Sequence, residues 1–310
     1  MSNRILVVGS TNMDLIVQTD RLPAPGETVV GGTFAQAHGG KGANQAVAAA
    51  RSGGKVTFLS AVGDDAFGLD CLAAIKSEGI DTAHARVVRA ATGIALITVD
   101  TNAENCIVVA PGANATVGAV QIEEAFTALT DLAVCICQLE TPLPAVHHAL
   151  SIAKKKNLVT ILDPAPAIPL EASLLHNVDC ITPNTTEAEK LTGIRPDTMH
   201  SAVASAHKLR ESGVGTVIIT LGSKGAILVD ESEPLTMSAP KVEAVDSTAA
   251  GDSFTGCLGA RVSNGETFRQ ALPYAVCAGA LAATTCGAQP SIPIAGRIDC
   301  LKNEFFGLDD

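Results

Sequence analysis

Tryptophan is absent from the 310 residues, tyrosine occurs once, and aromatics make up only 3%. A core with so few large rings is built from Val, Ile, Leu and Ala, and runs of those residues suit a parallel sheet buried on both faces. Positive charge is also scarce: 21 Lys and Arg face 32 Asp and Glu, a formal net charge of −11. This balance argues against nucleic acid or an anionic membrane as partner. An anionic substrate then needs local amides and one or two cations to hold it. No apolar run approaches the ~20 residues of a membrane-spanning helix. Met1-Ser2-Asn3-Arg4 leads directly into a short apolar run, with no signal-peptide pattern. The nine cysteines contain no Cys-x-x-Cys pair, and their odd number and apolar contexts predict reduced thiols in the cytosol. Cys135 and Cys137 share one face of an apolar strand, as core residues do. His147-His148 has no partner at ligand spacing and predicts a solvated helix face rather than a metal site.

The usual nucleotide and hydrolase signatures are missing as well. Lys41 is followed by Gly42 and Lys55 by Val56, so there is no Gly-x-x-x-x-Gly-Lys-Ser/Thr loop. Gly9-Ser10-Thr11-Asn12 is not a dinucleotide glycine fingerprint, and no Gly-x-Ser-x-Gly elbow occurs. A Walker-type ATPase, a nicotinamide dehydrogenase and an α/β-hydrolase each lose their normal support.

Apolar runs at Ile5–Val8, Val56–Leu59, Ala133–Leu139, Leu158–Leu162, Cys180–Thr182 and Val217–Leu221 read as buried strands. Helical patterns at Ala43–Arg51, Leu69–Glu78, Ala145–Lys155, Ala202–Glu211 and Ser253–Val262 lie between several of them. This alternation predicts an α/β fold with a mostly parallel central sheet and helices on both faces. Residues 13–36 and 92–109 differ: short alternating segments broken by Gly, Pro and Asn predict hairpins forming a small second sheet, a lid over the first. There is no repeat, charge block or long linker, so a single domain over 1–310 is expected.

Asp246-Ser247-Thr248-Ala249-Ala250-Gly251-Asp252 runs into the apolar stretch beginning at Phe254. It reads as a tight turn feeding a helix, with the amides of Ala250, Gly251 and Asp252 unpaired and the helix dipole favouring negative charge at one spot. A carboxylate beside such a nest suits phosphoryl transfer to a hydroxyl; an ordinary N-cap has the same pattern. Gly39-Gly40-Lys41-Gly42-Ala43-Asn44 opens an alanine-rich helix, where Lys41 supplies a cation and Asn44 a two-sided amide. Asn12 and Asp14 follow the first strand, and Glu140 ends another. Asn184 and Glu187 stand three apart at a helix start, as a capping box or as support for a phosphate-bound magnesium. Thr220, Gly222, Ser223 and Gly225 close a strand with a turn that could carry a nucleotide, or that is a plain hairpin.

In these blocks and their order the chain resembles the ribokinase family of carbohydrate kinases, the PfkB group, over nearly its whole length. The glycine pair with Lys41 and Asn44 looks like that family's first signature, and Asp246 to Gly256 like its second. Gln138-Leu139-Glu140, Asp163-Pro164-Ala165-Pro166-Ala167, Thr182-Pro183-Asn184 and Gly287-Ala288-Gln289-Pro290-Ser291 match between and beyond them. The resemblance implies a Rossmann-like α/β fold with a β lid. It also implies ATP-dependent phosphorylation of a sugar's terminal hydroxyl, giving D-ribose 5-phosphate if ribose is the acceptor.

By that resemblance Asp252 is the catalytic base. Ala249, Ala250 and Gly251 form the anion hole, with Ala249 standing where the family commonly has Gly. Asn12, Asp14, Gly40, Lys41, Asn44 and Glu140, with Asp252, bind sugar. Asn184, Glu187, Thr220, Gly222, Ser223, Gly225 and Gly251 contact MgATP. Asp246, Thr248, Ala282, Thr285, Gly287 and Ser291 surround a potassium ion, and two lids pair in a homodimer. Alternatives are 2-deoxyribose, fructose or a nucleoside as acceptor, a non-catalytic sugar-binding protein on the same scaffold, and, more remotely, a nicotinamide oxidoreductase.

Overall fold

A computed structural model describes residues 3–102 and 104–307; Ala103, inside the second expected lid segment, lies outside them. Among the described residues the strands in chain order are β1 (Arg4–Val8), β2 (Asn12–Gln18), β3 (Thr33–Gly39), β4 (Lys55–Gly63), β5 (Ala85–Val88), β6 (Gly93–Val99), β7 (Asn105–Ala110), β8 (Leu132–Cys137), β9 (Val159–Leu162), β10 (Cys180–Ile181), β11 (Thr216–Thr220), β12 (Ala226–Val229) and β13 (Leu235–Met237). The helices are α1 (Lys41–Arg51), α2 (Ala66–Ser77), α3 (Ala119–Ala128), α4 (Leu143–Lys155), α5 (Ala172–Leu175), α6 (Thr185–Thr192), α7 (Met199–Glu211), α8 (Ala250–Ser263), α9 (Phe268–Ala282) and α10 (Ala295–Phe306).

The main sheet has nine strands in the order β13-β12-β11-β10-β9-β8-β1-β4-β5. Every pairing from β11 to β5 is parallel; β12 and β13 extend the edge antiparallel. Strand residues alternate between two core layers, as a sheet buried on both faces requires. Leu6, Val8, Cys135, Leu162 and Val217 pack with α3, α4 and α7. Ile5, Val7, Ile136, Ile161 and Ile218 pack with α1, α8 and α9.

The periodicity finds α1, α2, α4, α7 and α8 to within a few residues but misses α9. From Ala271 to Ala278 every residue of α9 is buried, so it shows no polar stripe to mark it as an amphipathic helix. The turn after Thr220 is a hairpin turn, since β12 returns antiparallel to β11.

The second sheet has the order β3-β2-β6-β7, built from two antiparallel hairpins whose inner strands β2 and β6 run parallel. Paired positions share a face. Asp14, Ala95, Ile97, Ile107 and Val109 lie on one face, and Leu15, Val17, Phe34, Leu96 and Val108 on the other. The chain leaves the main sheet at the carboxyl end of β1 and enters the second sheet at Asn12, which brings the two sheets together at the end where ligands of open α/β sheets bind.

Candidate active site

The carboxyl ends of β1, β8, β9, β10 and β11 deliver Asn12, Glu140, Asp163, Thr182 with Asn184, and Thr220 to one cavity of about 380 Å³. Helix α1 adds Lys41 and Asn44, the turn before α8 adds Ser247, Thr248 and Ala249, and α8 adds Gly251 and Asp252. Ala95, Ile97, Ile107 and Val109 of the second sheet supply an apolar ceiling. A larger groove of about 670 Å³ lies at the amino ends of β9 to β11. Of its charged groups, Lys154 pairs with Asp179 and Asp230 with Arg269, and none of the candidate residues lines it.

Asp252 is 5% exposed. Its Oδ2 accepts from Asn44 Nδ2 at 2.9 Å and its Oδ1 from Gln45 Nε2 at 3.0 Å, so both carboxylate oxygens are fixed from the first turn of α1. The turn ahead of it runs through Ala249, which N-caps α8 in the left-handed region at φ 59 and ψ 9. One expectation is corrected here. The Ala250 amide is already bonded to Ser247 O at 3.2 Å, because the turn closes on itself. Among the described residues, the amides of Ala249, Gly251 and Asp252 have no backbone or side-chain acceptor. The nest therefore consists of those three amides and excludes that of Ala250.

Lys41 N–H donates to Glu140 Oε2 at 3.0 Å, and Ser10 Oγ donates to the same oxygen at 2.5 Å. Glu140 thus caps the start of α1 rather than the segment following itself, which places a negative charge at a helix N-terminus. Asn12 Oδ1 accepts from Asn114 Nδ2 at 2.8 Å. The Asp14 carboxyl has no hydrogen-bond partner among the described residues, and the residue is 9% exposed. Burial, then the nearby Glu140 and Asp252 charges, push its carboxyl up to about 7. Burial likewise pushes Asp163 up to about 8, assisted by Asp252 and Glu187 and opposed by Lys41 and by a hydrogen bond from Gln45. For Lys41 burial acts to lower the pKa, but the attraction of Asp252, Asp163, Glu140 and Glu187 prevails and holds it above its ordinary value. Asn44 Oδ1 is buried and unpartnered, an acceptor waiting for a donor.

Asn184 and Glu187 form the full capping box of α6, Asn184 Oδ1 accepting from Glu187 N at 2.9 Å and Glu187 Oε2 from Asn184 N at 2.8 Å, while both still line the cavity. Gly222, Ser223 and Gly225 lie on the hairpin turn outside the cavity lining, which Thr220 reaches. Asp246 lies behind the α8 turn. Its Oδ1 accepts from Thr248 N–H at 2.9 Å and Thr248 Oγ1–H at 2.6 Å, and its Oδ2 from Gly287 N–H at 2.8 Å. Those bonds outweigh partial burial and hold the Asp246 carboxyl below the usual range. Ser291 Oγ donates to Ala288 O at 2.7 Å, and the Ala282 carbonyl accepts from Thr285 N–H at 3.3 Å. Ser291 Oγ also lies 3.4 Å from the Thr248 carbonyl, so the segments carrying Asp246 with Thr248 and Gly287 with Ser291 meet behind the α8 turn. Gln45, Gln138, Asn114, Asp163, Thr182 and Ser247 are the site or supporting residues that sequence reasoning did not single out for a role. Gln45 adjoins Asn44, and Asp163 follows a strand and heads the block Asp163-Pro164-Ala165-Pro166-Ala167; those are the local signals they carry.

The lining contains five carboxyl side chains, Asp14, Glu140, Asp163, Glu187 and Asp252, and Lys41 as its one cation. Such a surface suits a neutral polyol, whose hydroxyls donate to carboxylates. A polyanion bound there needs the amide nest and added positive charge.

The model of the pfkB family carbohydrate kinases matches residues 2–295. The chain is 41% identical over 294 residues to a ribokinase of Haemophilus influenzae, covering 94% of this chain and 96% of that one. It is 36% identical over 308 residues to a deoxyribokinase of Salmonella typhimurium, covering 99% of each. The solved structure of an Arabidopsis thaliana ribokinase complexed with ribose and ATP superposes with a TM-score of 0.91, over 97% of this chain and 99% of that one, at 30% identity.

Proposed function

Because this chain belongs to the pfkB family of carbohydrate kinases, we propose that it transfers the terminal phosphoryl group of ATP to the 5-hydroxyl of D-ribose, giving D-ribose 5-phosphate and ADP. One observation carries this reading. The buried carboxylate of Asp252, pinned through both oxygens, opens onto the same cavity as the amides of Ala249 and Gly251 at the start of α8. Asn12, Asp14, Gly40, Lys41, Asn44 and Glu140 hold the sugar on one side of Asp252. Asn184, Glu187, Thr220 and the hairpin turn with Gly222, Ser223 and Gly225 receive the nucleotide on the other.

Asp252 orients the acceptor hydroxyl and takes its proton as the bond to phosphorus develops, since the loose transition state of phosphoryl transfer needs little deprotonation until late. The amides of Ala249, Gly251 and Asp252 bind the phosphoryl oxygens as charge shifts onto the leaving ADP. The five carboxyls of the lining leave ATP short of counter-charge, so the substrate fits as its magnesium complex, with Asn184 and Glu187 placed to hold the ion through its waters. The Asp246 loop offers oxygen donors only, the set a hard cation takes. Potassium there, held by Asp246, Thr248, Ala282, Thr285, Gly287 and Ser291, would order the turn that carries the nest.

Phe34 (63% exposed), Leu96 (49%) and Val108 (60%) leave the outer face of the small sheet apolar. We take it as a lid that pairs with the lid of a second copy in a homodimer. The whole chain acts as one domain in this reading, in the cytosol, where its free thiols stay reduced. Ribose is favoured over 2-deoxyribose because Asp14 and Asn44 Oδ1 lack partners and lose a hydroxyl donor in the deoxy sugar, at about 1–3 kcal/mol for each acceptor left bare. The test is coupled ADP release with ribose, 2-deoxyribose, fructose and nucleosides, with and without potassium. Sugar-dependent release, highest with ribose, is expected; ATP turnover indifferent to every sugar would sink the kinase reading.

A further inference from the structure

Gln45 touches two buried carboxyl groups with a single amide. The residue is 0% exposed and does not line the cavity. Its Nε2 reaches Asp252 Oδ1 at 3.0 Å and Asp163 Oδ2 at 2.7 Å, while its Oε1 accepts from Gln138 Nε2 at 2.6 Å. An amide nitrogen carries two hydrogens, so its donor capacity is used up. The network also fixes the orientation: turned over, Gln45 would set its carbonyl oxygen against two carboxyls and its nitrogen against that of Gln138. Gln138 Oε1 packs against Gly9, where a Cβ would lie 2.0 Å away and only glycine leaves the room.

We propose that Gln45 is a positioning residue for the phosphoryl transfer: it locks the rotamer of Asp252 and couples it to Asp163, so that the two buried carboxyls carry one negative charge between them, resting on Asp252. The inference depends on the role given to Asp252 above. Two ionised carboxyls joined through one buried amide repel, and one of them keeps a proton. Donor count selects which. Asp252 receives a second N–H from Asn44, whereas Asp163 has only that of Gln45. The charges facing Asp163 are Lys41 from α1, Asp252 from α8 and Glu187 from α6. Among these charges Lys41 opposes the proton, as does the Gln45 hydrogen bond, and burial outweighs both, which agrees with a carboxyl pushed up to about 8. At neutral pH the base is then a lone carboxylate of fixed orientation, beside a neutral acid that does not repel the incoming phosphoryl group. Above pH 8 Asp163 ionises and adds a second charge, which slows transfer.

The experiment compares the full-length wild type, Gln45→Leu and Asp163→Asn by ADP release from pH 6 to 9.5, with the carboxyl-carbon NMR titration of each. Gln45→Leu is expected to lose about 10- to 100-fold in kcat, the scale of one lost hydrogen bond to a charged group, with the sugar KM changed by less than about threefold. Asp163→Asn keeps an acceptor for Gln45. Relative to its own value at pH 7, its kcat is expected to stay level up to pH 9.5, where that of the wild type declines. In the titration, a wild-type carboxyl with a midpoint near pH 8 is expected, absent from Asp163→Asn. An unchanged kcat in Gln45→Leu, or pH profiles of Asp163→Asn and wild type that superimpose, overturns the coupling. Should Gln45→Leu not fold, the Asp163→Asn comparison decides. The NMR arm needs no turnover: a wild type without sugar-dependent ADP release defeats the kinase assignment, whereas the absence of any carboxyl titrating near pH 8 defeats this inference.

Discussion

Replacing Gly256 with alanine tests whether the contact of α1 with α8 governs catalysis more than stability. A Cβ built at Gly256 lies 2.4 Å from Gln45 O, 2.6 Å from Ala48 Cβ and 3.1 Å from Ala49 N. Carbon atoms pack best at about 3.5–4.0 Å, so α8 must withdraw from α1 by about 1 Å. The obstacle is backbone and cannot rotate away. Alanine returns about 1 kcal/mol through helix propensity, while overpacking costs about 1–3 kcal/mol. The net loss is at most about 2 kcal/mol, or a few degrees in melting temperature.

The same displacement stretches both bonds that fix Asp252, now 2.9 Å from Asn44 and 3.0 Å from Gln45, beyond useful hydrogen-bond length. Misplacement of a reacting group by 1 Å costs about 100-fold in rate. Gly256→Ala should therefore lose about two orders of magnitude in kcat at saturating ribose and ATP while melting within a few degrees of wild type. Gly259→Ala is the control. Its Cβ meets the Ile136 Cδ1 at 2.5 Å, a side-chain end that can turn without moving α8 off α1, and kcat should stay within about threefold. Wild-type turnover in Gly256→Ala, or equal damage in Gly259→Ala, would refute the reasoning.

Four further outcomes follow from the same geometry. Asp252→Asn should lower kcat by about 10²–10⁴ with a much smaller change in sugar KM; a kcat equal to wild type removes Asp252 from the chemistry. Asp14 and Asp163, raised to about 7 and about 8 from 3.8, bind protons in the folded chain that the unfolded chain has already released, so stability falls as pH rises through that range. The melting temperature of the sugar-free protein should drop between pH 5.5 and 8.5, less steeply in Asp163→Asn, and a flat or rising curve contradicts the burial argument. Ala249→Gly relieves a Cβ at φ 59 and should raise stability by about 1 kcal/mol in denaturant melts; a destabilised variant would mean that the turn does not store strain. Potassium should raise kcat well above sodium or choline at equal ionic strength, and Asp246→Ala should abolish the difference; identical rates in all three salts remove the cation site.

The strands of the main sheet were legible because Val, Ile and Leu runs buried on both faces leave a continuous apolar signature, as at Ile5–Val8 and Val217–Leu221. Helices α1, α4 and α7 showed themselves by an apolar stripe. Helix α9 did not, because it is buried all round. The signature residues of the site could be listed from their blocks, and Lys41, Asn44, Glu140 and Asp252 do meet in one cavity. What Glu140 does there could not be read from its surroundings in the chain: it caps a helix 99 positions away.

Sequence by itself determined the alternation of strand and helix, the turn that leads into α8 with unpaired amides, and the residue types around it, since all of these depend on neighbours within a few positions. Tertiary structure alone decided which carboxyls are buried against one amide and how Asp252 is aimed. Those properties arise where α1 and α8 press together over Gly256 and where β9 brings Asp163 under Gln45, contacts between residues 118 and 207 positions apart. The physical reason is that burial and donor count fix a carboxyl's charge, and both depend on atoms that only the packed helices bring near.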